Sequence, residues 1–320
     1  MSSGVTGVKD YLSKEEIKSL LEKSDWKAAY EIAHTWFWIA FAFALAGFFP
    51  NPLTIVVSLF ILGGKQLACA IIMHDTSHHA QFKSKKANLI FGNIFGGYPI
   101  YFDVRDYRPY HLLHHSHTGH ETDPDLNLTK GYPAGKASLT RKIFRDLVGL
   151  TGIKLLFGVI MIQAEVWRFN LGGKIDRVPK EELKGVKHVF IFLRNMAGPI
   201  AVNFGMWAIL WLTGNGWLYV LWPIAYLTTY QFCLRIRSIA EHSVVPDRLD
   251  NMKNTRTTYA NFIERMLFAP HHVNYHAEHH LLMTVPSYNL PRMHKMLLER
   301  GYFEKGLLEP NYISIIKLAA

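Results

Sequence analysis

Residues 53–79 read LTIVVSLFILGGKQLACAIIMHDTSHH. The first part, Leu53 to Met73, is an apolar run long enough to cross a bilayer as a helix, and it carries one charge, Lys65. It ends directly in His74-Asp75-Thr76-Ser77-His78-His79. His74 and His78 are four residues apart, so on a helix they share one face. An apolar span that delivers two imidazoles at one end sets the frame for the rest of the chain.

Upstream, Thr35 to Pro50 is a second apolar run, short for a span unless residues of the preceding helix join it. Asn51-Pro52 forms the turn between the two runs, which makes a transmembrane hairpin. Downstream, Val189–Leu212 and Trp217–Phe232 form another, joined by Thr213-Gly214-Asn215-Gly216. Leu89–Phe102 and Leu155–Gln163 are apolar but short or glycine-rich, and read as interfacial or re-entrant helices. Residues 235–320 are polar with short amphipathic pieces. The expected fold is all-α and integral to the membrane. Four transmembrane helices form two hairpins, with interfacial helices and a cytoplasmic histidine-rich cap.

Residues 1–33 are polar. Ser13-Lys14-Glu15-Glu16 fits a capping box, followed by Ile17, Leu20 and Leu21 at helical spacing. That helix is either interfacial or packed on the protein. Met1-Ser2-Ser3-Gly4 does not resemble a signal peptide. The expected organisation is a cytoplasmic N-terminal helical segment (1–33), a membrane domain (34–300) and a C-terminal tail (301–320).

The net charge is +10. Its Lys and Arg residues flank the apolar runs, which favours a membrane surface over nucleic acid, for which no binding motif is visible. The hairpin tips, Pro50–Pro52 and Thr213–Gly216, carry no Lys or Arg. Lys9, Lys14, Lys18, Lys23, Lys27, Lys83, Lys85, Lys86, Arg235 and Arg237 lie on the other side. The positive-inside rule therefore puts both termini and the long middle region in the cytoplasm. Cys69 and Cys233, the two cysteines, sit inside apolar runs and read as small buried hydrophobes. Lys65 is a functional candidate as an intramembrane lysine, or it simply faces a neighbouring helix. No repeat or low-complexity tract is present.

Thirteen of the 17 histidines lie in three short segments. The second is His111-Leu-Leu-His114-His115-Ser-His117-Thr-Gly-His120, and the third is His271-His272-Val-Asn-Tyr-His276-Ala-Glu278-His279-His280. His111, His114 and His115 share a helical face, as do His276, His279 and His280. Neutral imidazole suits Fe, Zn or Cu, and it is not the ligand of choice for Mg or Ca. The clusters supply eight such ligands, and His242, just after the last apolar run, makes nine. That number serves two metals and leaves room for dioxygen. Asp75, Glu241 and Glu278 adjoin candidate ligands and read as carboxylates that orient them, since metal-bound histidines usually donate their other N–H to such a group. For Asp123 and Asp125 a solvated loop acid or a helix cap is about as good a reading as that orienting role.

Other metal chemistries fit less well. A soluble di-iron bundle needs paired Glu-x-x-His motifs, and only Glu31-Ile-Ala-His34 has that spacing. A zinc protease needs His-Glu-x-x-His, whereas Asp75 follows His74.

The pattern His74-x-x-x-His78, His111-x-x-His114-His115 and His276-x-x-His279-His280 resembles the three histidine boxes of membrane fatty-acid desaturases and their hydroxylase and carotenoid-ketolase relatives. The segment Val285–Pro291 also looks like the one after the last box in that family. The resemblance runs from the first span to about Arg300. It implies a non-haem centre of two Fe ions, O2 as co-substrate, and a further ligand near the end of the fourth span, where His242 stands. It implies hydrogen abstraction from a fatty acyl chain on a lipid or CoA. No haem- or flavin-binding domain is visible, so the electrons are expected from a separate ferredoxin- or cytochrome-type protein. The enzymatic alternative is a hydroxylase or ketolase acting on a carotenoid, sterol or alkane. The non-enzymatic alternative is a membrane metal carrier.

Overall fold

The computed structural model describes residues 7–179, 182 and 185–320, so the polar start Met1–Gly4 lies outside the described residues. Helix α1 (Lys14–Leu20) opens with the expected capping box. The Ser13 hydroxyl accepts from the Glu16 N–H at 3.3 Å, and the Glu16 carboxylate accepts from the Ser13 N–H at 2.8 Å. Its apolar stripe packs on the protein, with Leu20 buried in one cluster with Met293 and Leu297 near the C-terminus. An ion pair between Glu16 and Arg300, 2.6 Å long, closes the same contact at its rim.

Helices α2 (Asp25–Phe48) and α3 (Pro52–Ser77) form the first hairpin. Asn51 caps α3 through the N–H groups of Leu53 and Thr54, and Pro52 at the first helical position is preset for the turn. The buried Ser58 hydroxyl donates to the Ala42 carbonyl at 2.8 Å, which ties the two arms together. Helix α3 is the central post of the molecule. A Cβ at Gly63 would collide with Thr229 and one at Gly64 with the Met266 backbone, so these glycines let two other elements close on it.

The region expected to hold one short helix over Leu89–Phe102 is instead broken. Helix α4 (Lys85–Gly92) runs into a π-helical turn (Asn93–Gly97) and then a 3-10 turn (Tyr98–Ile100). Next come α5 (Val104–His117), α6 (Leu126–Thr129), α7 (Lys136–Leu147) and α8 (Leu150–Gln163). Helices α7 and α8 meet at a bend of 62°. Helix α9 (Lys187–Leu212) is long and leaves Phe190, Phe204 and Trp211 exposed, as a lipid-facing helix would.

The expected fourth span, Trp217–Phe232, is not one helix. A 3-10 turn (Gly216–Val220) leads to α10 (Leu221–Leu227), and α11 (Thr229–His242) follows after a break at Thr228. The break lies where neighbours press closest. The Thr229 hydroxyl donates to the Leu59 carbonyl at 2.6 Å, and Gly152 of α8 sits against the Leu227 backbone. Among the described residues three helices, α2, α3 and α9, are each long and apolar enough to cross a membrane.

The remainder contains β1 (Arg256–Thr258), α12 (Phe262–Leu267), α13 (His276–Leu281), α14 (Leu290–Glu299), β2 (Leu307–Glu309) and α15 (Tyr312–Ala319). The fold is therefore not purely helical, since β1 and β2 pair in parallel with Thr257 opposite Leu308. Thr257 and Thr258 are β-branched and suit a strand. Their pairing draws the C-terminal residues onto the body of the protein, where Tyr312 and Ile315 pack in one cluster with Ile236 and Ile239.

The hairpin tips meet, with Gly47 of the first against Leu218 just past the second. The core above them contains Leu62, Ile100, Trp222 and Tyr226. The histidines lie toward the far end of α3, away from both tips.

Candidate metal centre

Each histidine cluster is placed by a short piece of regular structure. His74 lies in the last turn of α3 and His78 is its C-cap. His111, His114 and His115 lie on α5, and His276, His279 and His280 on α13. His242 is the last residue of α11. The four elements converge, and the nine histidines fall into two groups. His74, His78, His111, His115 and His279 have ring nitrogens within 4.8 Å of one another. His114, His242 and His280 form a second set to the same limit, and Glu241, His242 and His276 overlap it.

The contacts within each group are too close for unrelated imidazoles. Nε2 of His115 stands 3.0 Å from Nε2 of His111 and 3.1 Å from Nε2 of His279. Nε2 of His276 stands 2.8 Å from Nε2 of His242. Nitrogens held about 2.1 Å from a transition metal and at right angles to each other lie about 3 Å apart. Several buried nitrogens lack any hydrogen-bond partner: His74 Nε2, both ring nitrogens of His78, and His280 Nε2. A native interior rarely leaves so many polar atoms unsatisfied in one place. Metal ions held by these nitrogens would account for them, and the donor set suits iron.

Electrostatics agree. Burial, reinforced by the neighbouring imidazoles, holds His78, His111, His115, His276, His279 and His280 well below the usual histidine range. These rings are neutral at physiological pH, with lone pairs free to bind. His114 differs. Burial alone would lower it, but the hydrogen bond to Asp123 and the charge of Asp125 outweigh burial, and its net shift is upward.

Second-layer contacts fix the ring orientations. Nδ1 of His74 is 2.7 Å from Asp75, and Nδ1 of His114 is 2.8 Å from Asp123. Nδ1 of His242 donates to the Asn254 carbonyl at 3.1 Å. Each leaves Nε2 to face the centre. Glu241 pairs with Arg237 at 2.6 Å and lies 3.6 Å from His276 Nδ1. Glu278 does not join them. Its carboxylate meets His294 Nδ1 at 2.5 Å and the Thr257 hydroxyl, so it fastens α13 to α14 and β1. Asp123 and Asn254 are the partners that spacing alone does not single out. Asp123 reaches His114 only because a loop turns back at Gly119, whose N–H donates to its other oxygen.

The remaining histidines stand apart from the two groups. His79 has a left-handed backbone and its carbonyl accepts from Lys23 at 2.5 Å. His117 is half-buried and His120 exposed. His271 meets the Thr35 hydroxyl at 2.9 Å.

A cavity of about 110 Å³ adjoins the centre. Met73, Ile100, Phe102 and Tyr107 line it together with His111 of the first group and His114, His242 and His276 of the second. A larger apolar cavity of about 400 Å³, lined by Phe43, Met206 and Leu218, lies near the hairpin tips, remote from the histidines.

A model of the fatty acid desaturase family matches residues 50–309, which takes in all nine histidines. The chain belongs to the fatty acid desaturase family. It is similar to a dihydrorhizobitoxine desaturase of Bradyrhizobium elkanii, 26% identical over 257 residues, covering 78% of this chain and 69% of that protein. It is also similar to an sn-1 oleoyl-lipid 12-desaturase of Synechocystis sp., 24% identical over 235 residues, covering 72% of this chain and 64% of the relative. As a fatty acid desaturase family member it is an oxidoreductase, and its long apolar helices mark a membrane protein.

Proposed function

We propose that this desaturase introduces a double bond into the acyl chain of a membrane lipid at a histidine-ligated pair of iron ions. The observation that carries the reading is the division of nine imidazoles into two groups, with members of both lining one cavity. His74, His78, His111, His115 and His279 would hold one iron, and His114, His242, His276 and His280 the other. Asp75 and Asp123 orient His74 and His114, and Glu241 stands beside His276. When bound, the irons supply reduction of O2 to two waters, consuming two protons, two electrons from the donor and two hydrogens from adjacent acyl carbons.

The chain's own residues do the rest. Met73, Ile100 and Phe102 give the acyl segment an apolar seat and exclude water from it. Tyr107 stacks on His111 at 5.1 Å between ring centroids, fixing that ring against the cavity wall. The relative that acts on an oleoyl lipid supports a lipid-borne acyl chain over a soluble carrier. The broken helix Gly216–His242 serves as the fourth span, beside α2, α3 and α9. The charge distribution supports a cytoplasmic location for the termini and the histidine end, within reach of a separate ferredoxin- or cytochrome-type electron donor.

Expression in a host lacking fatty-acid desaturases, followed by analysis of its lipids, tests the substrate. New double bonds in phospholipid acyl chains are the expected result. Unchanged acyl chains, with hydroxylated or ketolated product from a supplied carotenoid, would overturn it.

A further inference from the structure

A further cavity, of about 370 Å³, lies on another side of α3 between α2, α12 and the His271-His272 turn. Its lining includes Glu31, His34, Lys65, Arg265, His271 and His272. The metal centre uses none of these residues. Lys65 is only 2% exposed, yet no carboxylate lies within ion-pair distance and no hydrogen-bond acceptor meets it among the described residues. The titratable groups around it are the thiols of Cys69 and Cys233 and the rings of His34 and His271, none of which offers a compensating anion. Arg265, exposed on α12, likewise has no acidic partner among the described residues. Glu31, the one carboxylate of the lining, is committed elsewhere. Its Oε2 accepts from Gln81 and from Ser287, both at 2.7 Å, and lies 3.9 Å from His271 Nδ1. Two unpaired cations therefore face one cavity, and a buried cation without a counter-charge is costly.

The depth of the cavity says where the missing anion comes from. Tyr30 at its edge and Phe48 at the hairpin tip are separated by roughly 27 Å of helix at 1.5 Å per residue. That is close to the hydrocarbon thickness of about 30 Å. With α2 and α3 across the bilayer, the mouth of the cavity lies at headgroup level and Lys65 just inside it. Exposed Tyr30 and Phe262 are part of its lining, as aromatic residues are at such an interface.

We infer that this cavity binds the oxyanion headgroup of an acyl lipid, a phosphate or a carboxylate, through Lys65 and Arg265, with the acyl tail left in the bilayer. His272 Nδ1, buried and without a partner, is a third polar group available to the headgroup. This site is distinct from the acyl cavity at the metal centre. It rests on the membrane placement of α2 and α3, and it holds whatever the reaction's substrate.

Photo-crosslinking of the full-length protein in lipid nanodiscs tests the site without assaying turnover. One arm carries a photoactivatable phosphatidylglycerol, the other a photoactivatable long-chain fatty acid, and a photoactivatable diacylglycerol serves as the uncharged control. Labelled peptides are mapped by mass spectrometry. At least one of the two anionic probes should label the segments around Tyr30–His34 or Phe262–His272, and which one does identifies the source of the oxyanion. Labelling should fall about tenfold or more in Lys65→Met and in Arg265→Gln, as expected for the loss of one charge-assisted contact. Arg265 is exposed, so its variant decides the matter if Lys65→Met does not fold. Absent labelling with both anionic probes, equal labelling by diacylglycerol, or labelling unchanged in the variants would overturn the inference.

Discussion

Nε2 of His242 and Nε2 of His276 stand 2.8 Å apart, although the two residues lie on different helices. One ends α11 and the other begins the third histidine box. Their approach brings His242 into the second group of histidines. Replacing His242 by Ala should remove about one of the two irons and cut desaturation by about 100-fold or more, in line with the cost of misplacing a reacting group. His120→Ala, at an exposed position, should leave both unchanged. Iron content and product formation measured on the same preparations check this.

Asp123 holds the ring of His114 by a bond of 2.8 Å to Nδ1. Its charge also helps keep the proton on that nitrogen, which leaves Nε2 for metal. Asp123→Asn keeps an acceptor but removes the charge. It should weaken metal retention by about 10- to 100-fold, as outer-shell substitutions do. Competition with a graded series of chelators measures the change.

Glu278 makes the opposite prediction. Although it lies between two box histidines in sequence, its partners are His294 and Thr257. Glu278→Gln should cost about 1–3 kcal/mol of stability through a weakened buried hydrogen-bond pair, with iron content per folded chain unchanged. A denaturation midpoint measured together with metal analysis separates the two effects. Loss of one iron at unchanged stability would contradict the assignment.

Ala70 lines the cavity of about 110 Å³ beside the centre. Ala70→Leu should fill part of that space and displace the acyl chain. Desaturation should fall by about 100-fold while both irons stay in place. Product analysis on iron-replete protein checks it. Full activity in the variant would move the substrate elsewhere.

Much of this site could be read in the linear chain because helical spacing is a local property. His111, His114 and His115 share a face as soon as α5 forms, and Ser13 and Glu16 cap α1 through neighbours three residues apart. What could not be read depends on distant contacts. The break at Thr228 lies in an apolar run with no glycine at the break, and its neighbours Leu59 and Gly152 come from far away in sequence. Asp123 carries no local mark of its bond to His114, because the loop that returns it depends on the turn at Gly119. Glu278 was misleading for the same reason. Its position beside His279 suggests a role at the metal, while its side chain answers to β1 and α14.

On the proposed reading nine histidines hold two irons, five around one and four around the other. Iron analysis combined with Mössbauer spectroscopy on iron-57-loaded protein, purified from membranes, tests it most directly. Two irons per chain in two distinct nitrogen-rich environments are the expected result. In His78→Ala the signal of the five-histidine site should be lost selectively, and in His242→Ala that of the other. One iron per chain in fully active enzyme, or a single environment abolished equally by either substitution, would contradict it.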